Sequence, residues 1–272
     1  MPDRSLKLAM IQMRVVPGDK AANLRHAAEL VAEAAGRGAQ VALLPEAMPA
    51  GWTDASTPAL ADEISSGETC RVLSRLAGKH RLFLCSGFVE RDGNRVFNAA
   101  ALFGPDGRLL LHHRKINELE IAHDCYALGD RLAVARTPLG CFGVMICADA
   151  FAPGQAISRT LGLMGADIIL SPCAWAVPAD HDHAKEPYGQ LWRDHYCPVA
   201  RDFNLWIAGV SNVGPIANGP WGGRKCIGCS LLVGPDGQPV LQGPYGDDAE
   251  IILYADLPLS SRGATRAAAS AS

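Results

Sequence analysis

No charge of one sign dominates this sequence. The chain sets 25 Lys and Arg against 28 Asp and Glu, a formal net charge of −3 over 272 residues. That balance gives no electrostatic reason to expect nucleic acid or an anionic membrane as a partner. Long hydrophobic runs are also missing: apolar stretches reach about five to seven residues, where a membrane span takes ~20. Met1 to Lys7 is charged and passes straight into an alternating segment, without the apolar stretch of a secretory signal. The nine cysteines are odd in number and irregularly spaced, unlike the disulfide framework of a short secreted chain. A 49% share of apolar residues is enough for a full core and excludes intrinsic disorder. The expectation is a soluble, globular, cytoplasmic protein.

Metal-ligand spacing is equally sparse. Cys226-Ile227-Gly228-Cys229 is the one CxxC, and a zinc site needs a second ligand pair that stands at no matching spacing. A thiol redox or zinc protein built on Cys226 and Cys229 is therefore kept as an alternative, with no metal and no cofactor as the main expectation. Cys85 and Cys229 border apolar runs and read as small core hydrophobes.

What the sequence does contain is an order of elements that occurs twice. Leu6, Leu8 and Met10 alternate as a strand, Asp19 caps a helix over 20–35, and Val41–Leu44 is a buried strand stopped by Pro45. A helix over 68–79 and strands over 82–88, 96–103 and 109–113 follow. Gly104-Pro105-Asp106-Gly107 turns the chain between the last two. The second half repeats this with a strand over 142–146, a helix over 155–164, a strand over 168–170 and a helix over 189–203. Strands over 206–210 and 230–233 come next, then Gly234-Pro235-Asp236-Gly237 and a strand near Val240. This predicts an α/β fold, a four-layer α-β-β-α sandwich with an internal two-fold pseudo-repeat. No Pro/Ser-rich linker separates the halves, so residues 1–262 read as one domain and the Ala/Ser-rich 263–272 as a flexible tail.

Ligand sites in open α/β sheets gather beyond the carboxyl ends of strands. Three reactive side chains fall there: Glu46 after Val41–Leu44, Lys115 after the strand ending at His113, and Cys147 after Val144-Met145-Ile146. A thiol that attacks, a carboxylate that moves protons and a cation that holds an oxyanion form a set for acyl transfer through a thioester.

Leu43-Leu44-Pro45-Glu46, Arg114-Lys115-Ile116 and Val144-Met145-Ile146-Cys147-Ala148-Asp149 together resemble the three signatures of the nitrilase superfamily, the carbon–nitrogen hydrolases. The resemblance runs from Leu6 to about Asp256. It implies the same sandwich, a homodimer or larger assembly, and no cofactor. Carried over by position, it implies Glu46 as general base, Lys115 as oxyanion partner, Cys147 as nucleophile and the Ala148 backbone N–H as second oxyanion donor. Ala148 stands where an aromatic residue is frequent in the family. A second acid is expected between Lys115 and Leu128-Gly129-Asp130; Glu118, Glu120 and Asp124 are the candidates, and Glu120, flanked by Leu119 and Ile121, is preferred. Trp52, Cys173, Ala174 and Trp175 are candidate substrate-binding residues. The expected activity is hydrolysis of a small amide or N-carbamoyl compound, with water as co-substrate. Nitrile hydrolysis, acyl transfer to an amine and a catalytically silent binding relative remain as alternatives.

Overall fold

The computed structural model describes residues 5–258; the expected tail, 263–272, lies outside them. In chain order the strands are β1 (Ser5–Gln12), β2 (Val41–Leu43), β3 (Phe83–Asp92), β4 (Arg95–Phe103), β5 (Leu109–Arg114), β6 (Val134–Thr137), β7 (Gly140–Val144) and β8 (Ile168–Cys173). They continue with β9 (Ala176–Val177), β10 (Trp206–Ser211), β11 (Val213–Pro215), β12 (Lys225–Ile227), β13 (Leu231–Val233), β14 (Pro239–Gln242) and β15 (Ile251–Pro258). The helices are α1 (Lys20–Gly36), the four-residue α2 (Thr57–Leu60), α3 (Glu68–His80), α4 (Ala156–Leu163) and α5 (Gln190–Phe203).

Two six-stranded sheets run in the orders β15-β1-β2-β3-β4-β5 and β14-β13-β10-β8-β7-β6. The pseudo-repeat is visible in the pairing. β1, β2 and β3 are parallel and β4 and β5 return antiparallel; β7, β8 and β10 are parallel and β13 and β14 return antiparallel. Each half also gains one antiparallel strand beside its first, β15 on β1 and β6 on β7. Both Gly-Pro-Asp-Gly turns close alike, with Gly107 N–H on the Gly104 carbonyl and Gly237 N–H on the Gly234 carbonyl, each at 2.8 Å. Gly107 and Gly237 take φ of 78° and 79°, a conformation that excludes most side chains and explains the glycine.

Alternation along the strands sorts residues into layers. Leu8 and Met10 of β1 join the core between the sheets, with Val144, Ile169 and Ile207 from the other half. Ala9 and Ile11 face the other way and pack with Leu24 and Val31 of α1 and Leu73 and Ala77 of α3. Phe83 stacks on Phe142 across the sheets at 5.6 Å. α4 and α5 cover the second sheet through Leu161, Trp192, Tyr196 and Val199. The result is the four-layer α-β-β-α sandwich.

Candidate active site

All three reactive residues leave the same end of the sandwich, each just past the carboxyl end of a strand. After β2 the chain passes through Leu44-Pro45, and the Glu46 N–H donates to the Cys173 carbonyl at 3.2 Å, bridging to the end of β8. Gly87 of β3 lies directly beneath: a Cβ there would stand 2.5 Å from the Glu46 Cα, closer than packed atoms approach. After β5, the Lys115 N–H donates to the Asn98 carbonyl and the Lys115 carbonyl accepts from Gly129 N–H, both at 2.8 Å. Cys147 opens a 3₁₀ turn, Cys147–Phe151, with φ of 45°. A non-glycine residue held in the left-handed region stores strain, and such strain concentrates where a side chain must be presented sharply.

The buried groups form one connected cluster. Lys115 Nζ donates to Glu46 Oε1 and to Glu118 Oε1, both at 2.8 Å. Asn98 Nδ2 donates to the same two carboxylates, at 2.6 Å to Glu46 Oε1 and 3.0 Å to Glu118 Oε2. All four side chains are buried, with exposures of 1% for Glu46 and Asn98, 2% for Lys115 and 7% for Glu118. The Cys147 thiol lies beside the Cys173 thiol and within the fields of Glu46 and Lys115.

Burial and pairing oppose one another here, and each wins at a different residue. Burial pushes the Glu46 carboxyl up, and the Glu118 charge adds to that, against the lowering by Lys115 and Asn98. Burial alone would lower Lys115; two carboxylates outweigh it, so its value rises and the cation is kept. Burial, reinforced by the Glu118 charge, thus leaves Glu46 more basic than an ordinary glutamate, although Lys115 pairs with it. Cys147 is pushed up by burial, by Cys173 and by Glu46, with only Lys115 pulling it down.

Asp149 fixes the two loops that carry Lys115 and Cys147. Its Oδ1 accepts the N–H groups of Ile116 and Asn117 at 3.0 and 2.8 Å. Its Oδ2 accepts Ile146 N–H at 2.8 Å and His113 Nε2–H at 2.7 Å. Asn117 Nδ2 adds a bond to the Ala148 carbonyl at 2.6 Å. His113 and these partners hold the Asp149 carboxyl below its ordinary value despite complete burial.

The structure brings Glu46, Lys115, Cys147 and Ala148 together and does not bring Glu120. Glu120 is exposed at the start of a 3₁₀ turn, and its neighbour Ile121, expected to anchor it, is 43% exposed. Glu118 takes the place by Lys115 instead. The bend at Ile116 and Asn117, clamped by Asp149, turns the chain back within three residues. Asp124 is exposed. The Lys-x-x-Glu spacing was the available signal; Asn98 and His113 had none, being ordinary strand residues in sequence.

Of the candidate lining residues, Trp52 is buried against Trp221, and Lys115 Nζ lies 5.8 Å from a Trp52 ring centroid. Cys173 and Ala174 are buried at the end of β8. Trp175 stacks on Trp192 at 4.3 Å, and its indole Nε1 is buried without a hydrogen-bond partner among the described residues. Cys226 and Cys229 are buried free thiols, both pushed up to about 12 by burial, the setting of an unreactive cysteine. Among the described residues no group of three His, Cys, Asp or Glu is placed to hold a metal, and no helix is long and apolar enough to cross a membrane.

Comparison with known proteins agrees with this geometry. The family model described as carbon-nitrogen hydrolase matches residues 7–267. An omega-amidase of Xenopus tropicalis is 35% identical over 264 residues, covering 93% of this chain and 88% of its own. A nitrilase of Pyrococcus abyssi is 31% identical over 260 residues, covering 92% and 90%. The crystal structure of a carbon-nitrogen hydrolase from Helicobacter pylori G27 superposes with a TM-score of 0.83 at 22% identity, over 97% of this chain and 93% of that one, a likeness of fold.

Proposed function

We infer the reaction from one premise: the chain belongs to the carbon–nitrogen hydrolase family. It is an enzyme acting on carbon–nitrogen bonds other than peptide bonds. We propose that its substrate is a small amide or N-carbamoyl compound, cleaved through a thioester on Cys147. The 35% identity to an omega-amidase supports an amide substrate.

In this reading the Cys147 proton passes to Glu46 as sulfur bonds to the carbonyl carbon. A carboxylate raised by burial is a better base than an ordinary one, and the transfer leaves the net charge of the closed site unchanged. Lys115 and the backbone N–H of Ala148 receive the developing oxyanion. When the tetrahedral centre collapses, the carbon–nitrogen bond breaks and the amine leaves with the proton from Glu46. Glu46 then takes a proton from water, whose oxygen attacks the thioester, and the acid departs as the Cys147 thiol is restored. Glu118 holds Lys115 charged and Asn98 orients both acids. No step calls on a cofactor.

The observation that carries this reading is Lys115 Nζ at 2.8 Å from both Glu46 and Glu118, beside a cysteine in a strained turn. A panel of amides, N-carbamoyl amino acids and nitriles, scored by ammonia release, tests it. Release from amides or carbamoyl compounds by wild type and none by Cys147→Ala is expected. Turnover of nitriles alone would move the reading to nitrile hydrolysis, and no turnover of any class would leave the silent relative.

A further inference from the structure

Among the described residues, the end of the sandwich opposite the Glu46, Lys115 and Cys147 cluster is open. The residues just before β2 and β3, the β4–β5 turn and the β6–β7 turn surround a cleft of about 680 Å³. That is ample room for a small organic molecule. Its walls are apolar, with Phe83, Leu110 and Leu139 among the lining residues, while Arg81, Arg108 and Arg136 line it with positive charge.

The charge at this cleft is not internally balanced. Arg108 Nε pairs with Asp106 Oδ2 at 2.5 Å. Arg81 and Arg136 have no acidic partner among the described residues, and Asp106 is the one acid in the lining. Three arginines and a single acid therefore line the cleft.

Arg81 is also in the wrong conformation for its type. It caps α3 with φ of 53° and ψ of 42°, the left-handed position that glycine and asparagine favour. The pseudo-repeat supplies the comparison: at the same place, the cap of α5, stands Asn204 with φ of 49° and ψ of 54°. Leu82-Phe83 follow Arg81 as Leu205-Trp206 follow Asn204. One half uses the residue the backbone prefers, and the other places a guanidinium at the mouth of a cleft. Local strain with no folding benefit is the pattern of a site kept for binding.

We propose that this cleft binds a small amphipathic anion, a flat apolar body bearing a carboxylate or phosphate, held by Arg81 and Arg136. The planar forks of arginine match both head groups by paired hydrogen bonds. The apolar walls take the body, so inorganic phosphate alone satisfies half of the site. The site is separate from Cys147 and does not depend on the proposed reaction.

Calorimetric titration of the full chain tests it with four probes: 1-naphthyl phosphate, 2-naphthoate, 1-naphthol and inorganic phosphate. The two amphipathic anions should saturate one site, and naphthol and inorganic phosphate should bind at least about tenfold more weakly, since each lacks one half of the recognition. Arg81→Asn and Arg136→Gln should each weaken the anions about tenfold or more, while Cys147→Ala leaves them unchanged. Arg81→Asn places the favoured residue at the cap, so its Tm should equal or exceed wild type as binding falls. Absence of saturable binding to wild type would overturn the proposal. So would equal affinity in both arginine variants, or naphthol binding as tightly as its phosphate.

Discussion

Asp149 holds the backbone N–H of Asn117 at 2.8 Å, and so ties the turn that follows Lys115 to the turn that begins at Cys147. The same carboxylate accepts Ile146 N–H and His113 Nε2–H. Removing it leaves buried donors without partners in both loops at once. Asp149→Ala should lose roughly 3–5 kcal/mol of stability, the usual cost of breaking a buried pair. Chemical denaturation measures this. Asp149 is held below its ordinary value of 3.8 in the folded state. Its contribution is therefore present above that value and lost as pH falls through the lower, folded one. The Tm difference between wild type and Asp149→Ala should shrink over that acid range and stay constant above it.

Glu118 and Glu120 separate cleanly. Glu118→Gln removes one of the two charges that hold Lys115, and misplacing a reacting group by even about 1 Å costs on the order of 10² in rate. A fall in kcat of that order is expected. Glu120→Gln, at an exposed position, should match wild type in kcat and Tm. A collapse of Glu120→Gln with a neutral Glu118→Gln would place the second acid at Glu120 after all.

These two acids also show what sequence alone could and could not reveal. The doubled strand order, the Gly-Pro-Asp-Gly turns and the three strand-end residues were legible because apolar period, turn chemistry and motif are local signals. Helix bounds came within a residue or so, as with α1, expected over 20–35 and found as Lys20–Gly36. β15 escaped notice because it is an edge strand, mostly half-exposed, without a clean alternation of buried and exposed residues. Glu118 reads as one of three candidates, behind Glu120, because its return to Lys115 depends on Asp149, 31 positions beyond it in the chain. Asn98 joined the site only through its place on β4 beside β5. Such contacts belong to the tertiary structure, and no local pattern announces them.

The pH profile carries a sign that can be checked. The proposed base, Glu46, must be ionised, and its value is raised above the ordinary 4.5 by burial and by the Glu118 charge. Activity should therefore fall on the acid side at a pH above the usual glutamate range. In Glu118→Gln one raising charge is gone and Lys115 is left to Glu46 alone. Both changes lower the Glu46 value, so the acid limb of the residual activity should move to lower pH. Profiles of kcat/KM for the two proteins read this directly; a shift to higher pH would contradict the assignment.

Gly87 supports Glu46 by having no side chain. A Cβ at Gly87 would come within 2.5 Å of the Glu46 Cα and 2.9 Å of the Ala47 nitrogen, both backbone atoms with little freedom to yield. Gly87→Ala should displace the loop and lower kcat on the order of 10². Gly36→Ala meets nothing within 4 Å and should leave kcat unchanged. Equal activity in the two variants would show that the loop adapts.

The proposed reaction depends on a covalent bond to one of nine cysteines, and mass spectrometry reads that bond. The protein is mixed with a slowly hydrolysed amide, quenched in acid during turnover and digested. The expected result is the mass of the acyl group on the peptide that contains Cys147, absent from Cys147→Ala, which also fails to release ammonia. Ammonia release by folded Cys147→Ala at the wild-type rate, with no acyl mass on any cysteine of the wild type, would contradict it.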